Sequence, residues 1–154
     1  MTSPIRVALY QPDIAGNVGA VMRTCACLGT ALDLIEPMGF QWDDKRVARA
    51  AMDYIDHVAV TRHRDWNAFE AQTAGRLVLL TTRGATPLHD FAFAPGDVLL
   101  FGRESAGVPD AVHARADARV VIPMAPGVRS MNLSVSAGIV LAEALRQTGG
   151  WPAG

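Results

Sequence analysis

Ile122-Pro-Met-Ala-Pro-Gly-Val-Arg-Ser-Met-Asn-Leu-Ser-Val-Ser-Ala-Gly-Ile-Val-Leu-Ala-Glu-Ala-Leu145 joins the end of a strand to a helix through a loop of Pro and Gly. The apolar run Ala118–Ile122 predicts the strand, and Asn132–Gln147 predicts the helix. That helix is apolar on nearly every side for about three turns. Its start gathers Ser130, Asn132 and Ser134. The first N–H groups of a helix have no partner within it, so polar side chains collected there point to a binding site.

The same alternation extends back through the chain. Ile5–Tyr10 predicts a strand, Gln11–Gly16 a loop, and Asn17 the N-cap of a helix to about Leu28. Val18, Val21, Met22, Cys25 and Leu28 form the apolar stripe of that helix. Ala31–Ile35 is a second strand, Asp43–Met52 a helix and Val58–Thr61 a short strand. Asp65 caps a helix through about Gln72. Arg76–Thr82 and Asp97–Phe101 read as buried strands, with a short helix after Pro109. Apolar strands alternating with helices predict an α/β domain with a mostly parallel sheet and flanking helices. Ligands of such sheets bind at the carboxyl ends of the strands. The polar loops 11–17, 82–84, 102–107 and 123–132 fall at those ends.

The chain has 154 residues, 50% hydrophobic and 19% charged, with a formal net charge of −1. Those values predict one domain over residues 1–150 with a loose tail at 151–154. They leave room for an apolar surface used in self-association. They argue against a protein that coats nucleic acid through bulk charge, though not against a local basic patch. Lys45, Arg46 and Arg49 cluster, as do Arg62, His63 and Arg64, while Arg83, Arg103 and Arg129 follow apolar runs. A solvated surface is the ordinary role of each of these. No signal peptide and no membrane-length apolar run is read in the sequence. Cys25 and Cys27 point to different faces of one helix and cannot pair. Free thiols fit a reducing cytoplasm.

Several chemistries lack their residues. Gly16-Asn-Val-Gly19 is not a dinucleotide fingerprint, and neither a P-loop nor a Gly-x-Ser-x-Gly elbow is present. His57, His63, His89 and His113 have no ligand spacing, so no metal is expected. The polar residues left over are Asn17, Arg23, Gly102, Glu104, Ser130, Asn132 and Ser134. Arg23 lies opposite its helix's apolar stripe, where a solvated Arg is the ordinary case. Asn17, Ser130 and Asn132 serve equally well as helix caps. Glu104, after a strand and between glycines that let a ligand approach the backbone, is harder to assign to surface polarity alone.

Together, Asn17-Val-Gly-Ala-Val-Met-Arg23-Thr24, Leu100-Phe-Gly-Arg-Glu-Ser-Ala-Gly107 and Ile122-Pro-Met to Ser130-Met-Asn-Leu-Ser134 resemble the SPOUT class of S-adenosylmethionine-dependent RNA methyltransferases. Ile35-Glu-Pro-Met-Gly-Phe-Gln-Trp-Asp-Asp-Lys-Arg46, Met52-Asp-Tyr54 and Val60-Thr-Arg-His63 bring the resemblance closest to the tRNA (cytidine/uridine wobble position) 2′-O-methyltransferases. The resemblance implies a C-terminal trefoil knot, a rarity among proteins. It implies a homodimer that pairs through the first and last helices. It places the methyl donor, S-adenosylmethionine, against Leu80, Gly102, Ile122 and Ser130, and assigns the acceptor side to Asn17, Arg23, Glu104 and Asn132. The implied partner is the anticodon loop of tRNA. Alternatives are another tRNA or rRNA ribose, a non-catalytic RNA-binding protein on the same scaffold, and a Rossmann-like nucleotide enzyme. Arg103 stands where the pattern commonly has Pro, and Gly127-Val128 replaces more polar residues.

Overall fold

The computed structural model describes residues 3–51, 54–128 and 130–154. Its strands are β1 (Arg6–Tyr10), β2 (Ala31–Ile35), β3 (Val60–His63), β4 (Leu77–Leu80), β5 (Thr86–Pro87), β6 (Val98–Phe101) and β7 (Ala118–Val121). They form one sheet in the order β3-β2-β1-β6-β4-β7-β5, and every pairing is parallel. The helices are α1 (Ala15–Leu28), α2 (Asp44–Ala51), α3 (Trp66–Gln72), α4 (Asp110–Arg115) and α5 (Leu133–Thr148).

Both faces of the sheet are covered, which is why its central strands are apolar throughout rather than alternating. Val7, Leu9, Leu99 and Phe101 meet Val18 and Met22 of α1, Val47 of α2, and Val140 and Leu141 of α5. Ala8, Tyr10, Val98 and Leu100 meet Phe69 of α3 and Val112 of α4 on the other face. Four neighbouring strands, β1, β6, β4 and β7, therefore deliver their carboxyl-end loops to one edge of the domain. Those loops are the four polar ones marked in the sequence. Among the described residues no helix is long and apolar enough to cross a membrane.

The element boundaries differ from expectation in instructive places. Helix α1 begins at Ala15 with Ile14 at the cap position, so Asn17 lies inside the first turn and does not cap. At its far end Gly29, with φ of 65°, turns its N–H back to Ala26 and Cys25, as a left-handed glycine stop does. Strand β3 starts at Val60 rather than Val58. Its register is set by β2, whose Leu32 pairs with Val60 and donates its N–H to the Ala59 carbonyl at 2.9 Å. The outer ends of the predicted strands at Arg76, Thr82, Asp97 and Ile122 lie beyond the ladder. Strand β5 and the 3-10 turns Tyr54–His57 and Leu88–Asp90 were not expected from periodicity. Leu28 is only half-buried. Cys25 is buried, which pushes its thiol up to about 12, and Cys27 is exposed. Met52, Asp53 and Arg129 lie outside the described residues.

His63 is the clearest correction. Its neighbours Arg62 and Arg64 lie at the surface, but His63 is only 4% exposed. Its Nε2 lies 3.0 Å from the buried carboxylate of Asp33. Arg6 forks onto the same carboxylate, with Nε donating at 3.0 Å and its terminal nitrogen at 2.9 Å. A buried carboxylate needs partners of this kind, and the pairing explains a buried histidine at the end of the edge strand β3.

Most surface cations are similarly held. Arg6, Arg62, Arg76, Arg83, Arg115 and Arg146 each meet a carboxylate at 2.7–3.2 Å. Arg64 lies 3.8 Å from Asp65. Arg103 and Arg119 donate instead to the carbonyl oxygens of Gly107 and His113.

The C-terminal half of α5 is clamped to the segment before β6. Gln147 donates to the Phe91 carbonyl at 3.0 Å and accepts the Phe93 N–H at 2.8 Å. Glu143 accepts from Arg146 and from Gln147, and these bonds pull its carboxyl from 4.5 down to about 2. Because the folded value is depressed, the contribution is present above the unfolded value and is lost as pH falls through the folded one. Denaturant titrations should show the wild-type protein losing stability between about pH 4.5 and 2 more steeply than Glu143→Gln.

Candidate active site

The β1–α1 and β6–α4 loops are tied together reciprocally. Glu104 reaches across so that its carboxylate accepts the N–H of Asp13 at 3.3 Å and of Ile14 at 3.1 Å. It thereby holds the two residues that lead into α1 and places a negative charge near the positive end of the α1 dipole. Asp13 answers by accepting the Ser105 backbone N–H at 3.1 Å and the Ser105 hydroxyl. Neither partner was identifiable from the sequence alone, since the two loops are 92 residues apart and Asp13 reads as an ordinary turn residue.

From this latch a polar chain runs to the last helix. Asn17 donates its amide to Glu104 at 3.3 Å, and its carbonyl oxygen accepts from Asn132 at 3.3 Å. Asn132 caps α5 through its own side-chain oxygen, which accepts from Ser134 N at 2.8 Å and Val135 N at 3.3 Å. Asn132 is thus both a cap and a member of the site. The Ser134 hydroxyl donates to the same Asn132 oxygen.

The four loops enclose a cavity of about 560 Å³, within the range of small-molecule sites. Leu80, Gly102, Ile122 and Ser130 line it, as do Asn17, Glu104 and Asn132. Its floor is apolar, from Leu79, Phe101 and Val120, and its rim carries the polar chain. Thr81 and Thr82, which the sequence did not single out, line it as well. Ser130 makes no side-chain hydrogen bond among the described residues.

Arg23 does not line this cavity. Between Asn17 and Arg23 the helix rises about 9 Å and turns to another face. There the exposed guanidinium sits over the ring of Tyr54, 5.5 Å from its centroid. The structure therefore gathers every other expected site residue into one cavity and leaves Arg23 on the outer side of α1.

Backbone approach explains two glycines. A Cβ on Gly102 would lie 2.7 Å from the Gly107 carbonyl carbon and 2.8 Å from its Cα. The loop closes there through paired Arg103 N–Gly107 O and Gly107 N–Arg103 O bonds of 3.0 and 2.9 Å. The Arg103 N–H is one that a Pro could not supply. Its guanidinium Nε bonds the same carbonyl at 3.1 Å and its head lies over Tyr10. Arg103 therefore reinforces the loop that carries Glu104. Gly39, in the loop after β2, approaches the latch from outside. A Cβ there would lie 2.8 Å from an Asp13 carboxylate oxygen.

Comparison with known proteins places the chain in a family. The profile of the SpoU rRNA Methylase family matches residues 4–142. A tRNA (cytidine(34)-2′-O)-methyltransferase of Beijerinckia indica subsp. indica is 57% identical over 146 residues, covering 93% of this chain and 91% of the relative. A solved structure concerned with 2-OH methylation of C/U34 on tRNA superposes with a TM-score of 0.87 at 43% identity, covering 93% of this chain and 95% of the other. The SpoU methyltransferase AviRb of Streptomyces viridochromogenes, in complex with AdoMet, gives a TM-score of 0.82 at 27% identity, covering 96% and 62%.

The close contact at Gly102 is a direct test of the loop geometry. Gly102→Ala should lower unfolding free energy by about 1–3 kcal/mol, because the clash is with backbone. Gly16→Ala, at an exposed helical site with nothing within 4 Å, should raise it by about 0.5–1 kcal/mol. Chemical denaturation of both variants measures the contrast.

Proposed function

The chain belongs to the SpoU rRNA Methylase family, and we propose that it methylates the ribose 2′-hydroxyl of the wobble nucleotide, cytidine or uridine, in tRNA anticodon loops. The observation that carries this reading is the single cavity that unites Leu80, Gly102, Ile122 and Ser130 with Asn17, Glu104 and Asn132. The relative that is 57% identical and the structural neighbour on C/U34 support the choice of nucleotide.

The methyl donor is S-adenosylmethionine, whose positively charged sulfur makes the methyl group electrophilic and leaves as a neutral thioether. The cavity suits such a molecule in volume, and the backbone of Gly102 is part of its lining. Leu80 and Ile122, at the ends of inner strands, hold the adenine through backbone groups, and Gly102 and Ser130 hold the remainder. The protein's main task is alignment, since a good leaving group is already in place.

In transfer, the bond from the ribose oxygen to the methyl carbon forms as the sulfur–methyl bond breaks, and the hydroxyl proton departs to solvent. Arg23 is not the acceptor of that proton, because a guanidinium scarcely deprotonates. From the outer side of α1 it binds a phosphate of the substrate next to the reacting ribose. Glu104 and Asn17 act by positioning the loops and the acceptor, and Asn132 fixes the start of α5 beside them.

The segment with Ser130 and Asn132 is read as the part of the chain threaded in a trefoil knot. A homodimer completes the proposal. Val135 and Ile139 on α5, with Met131 and Ile14 at the cavity rim, are exposed apolar side chains beside one another in sequence or across the site. A second copy packed on α1 and α5 removes them from water. The enzyme acts in the cytoplasm, with tRNA as its partner.

Nucleoside mass spectrometry of tRNA from cells with and without the protein tests the reading. Loss of a 2′-O-methylated pyrimidine at the wobble position is expected, and an unchanged tRNA pool overturns it. Purified Arg23→Ala should bind S-adenosylmethionine as the wild type does in calorimetry, while transfer falls about 10²–10³-fold.

A further inference from the structure

Lys45, Arg46 and Arg49 on α2 differ from the chain's other described cations. All three are exposed, and none makes an ion pair or side-chain hydrogen bond among the described residues. The other described arginines, Arg23 apart, are tied to carboxylates or carbonyl oxygens. Among the described residues of a chain of net charge −1, Lys45, Arg46 and Arg49 are thus collected on one helix face.

The fold puts that face next to Arg23. Val47 is fully buried and anchors α2, so Lys45, Arg46 and Arg49 are turned outward. Helix α2 packs along α1, and the 3-10 turn that follows it packs on α1 as well. That turn supplies Tyr54, half-exposed at 38% and in contact with the Arg23 guanidinium. Asp43, just ahead of α2, is engaged at its start, accepting the Lys45 backbone N–H at 3.0 Å.

We infer that the outer face of α2, through Lys45, Arg46 and Arg49, is a docking track for the phosphate backbone of the RNA substrate, leading to Arg23 and Tyr54. The inference rests on the methyltransferase reading above and adds where the RNA lies outside the cavity. Unpaired ammonium and guanidinium groups bind phosphate oxygens without reading sequence. An exposed aromatic ring beside them is suited to stacking an unpaired base. Because the whole chain carries almost no net charge, the grip on RNA must be local.

The test is a Lys45→Gln, Arg46→Gln, Arg49→Gln triple variant, none of whose positions lies in the cavity. An anticodon stem–loop RNA is titrated at several salt concentrations, and methyl transfer and S-adenosylmethionine binding are measured alongside. The expected result is a KM for RNA raised about tenfold or more, kcat within about twofold of wild type, and unchanged donor affinity. The slope of log affinity against log salt should shrink by about two to three, one phosphate contact per lost charge. A control triple at paired cations, Arg64→Gln, Arg83→Gln and Arg146→Gln, should leave the slope near wild type. RNA affinity and salt slope unchanged in the α2 variant, or changed equally in the control, overturn the inference. If the wild type binds RNA through α2 but methylates no ribose, the docking track stands and the catalytic reading fails.

Discussion

The N-terminus of α1 depends on a carboxylate that arrives from 90 residues further along the chain. Ile14 has no side chain able to cap a helix, and the first N–H groups would otherwise be left to solvent. Glu104 satisfies two of the backbone donors ahead of that helix, and Asp13 satisfies Ser105 in return. Each loop thus holds the other in shape. The cavity exists because these loops stand where they do. Its polar rim is the continuation of the same chain of bonds through Asn17 to Asn132.

That dependence explains which parts of the molecule were readable from residues alone. Strands β1, β2, β6 and β7 announced themselves as short apolar runs, because a parallel sheet covered on both faces leaves no polar side to mark. Helix α3 was legible from Asp65, whose side chain does accept the Ala68 N–H at 2.8 Å. Helix α5 was legible from Asn132 in the same way. These are local signals. Asn17 failed as a cap for the opposite reason: α1 begins earlier, at Ala15, where a carboxylate from another loop holds the entering turn, and no local pattern records that. His63 was misplaced on the surface because its partner Asp33 lies on a neighbouring strand. The register of β3 was missed because it is dictated by β2.

The site shows the same division. Loop positions at strand ends predicted where ligands would gather, and the strand order made those loops neighbours by setting β1, β6, β4 and β7 side by side. Asp13, Ser105 and Gly39 could not be singled out, since each has meaning only through a contact across the fold. Arg103 shows how a departure from a family pattern can be absorbed. It keeps an N–H where Pro has none, and uses both that group and its guanidinium on the Gly107 carbonyl. The loop is held more firmly as a result, with Glu104 next in sequence.

Arg23 sets the remaining geometric problem. It is on the same helix as Asn17 but faces away from the cavity, toward Tyr54 and the α2 side of the domain. A reaction that uses both must bring an extended substrate across α1, rather than a small molecule enclosed in the pocket. The distribution of charge is consistent with that demand. Pairing most arginines to carboxylates keeps the surface near neutrality and limits indiscriminate attraction to nucleic acid. Among the described residues Lys45, Arg46 and Arg49 are unpaired, which concentrates positive charge along α2, a helix packed against α1. In the proposed reading the cavity selects the donor by shape and backbone contacts, while the far side of α1 handles a polyanion. That reading divides two recognition tasks of different physical character between the ends of a strand set and the flank of a helix.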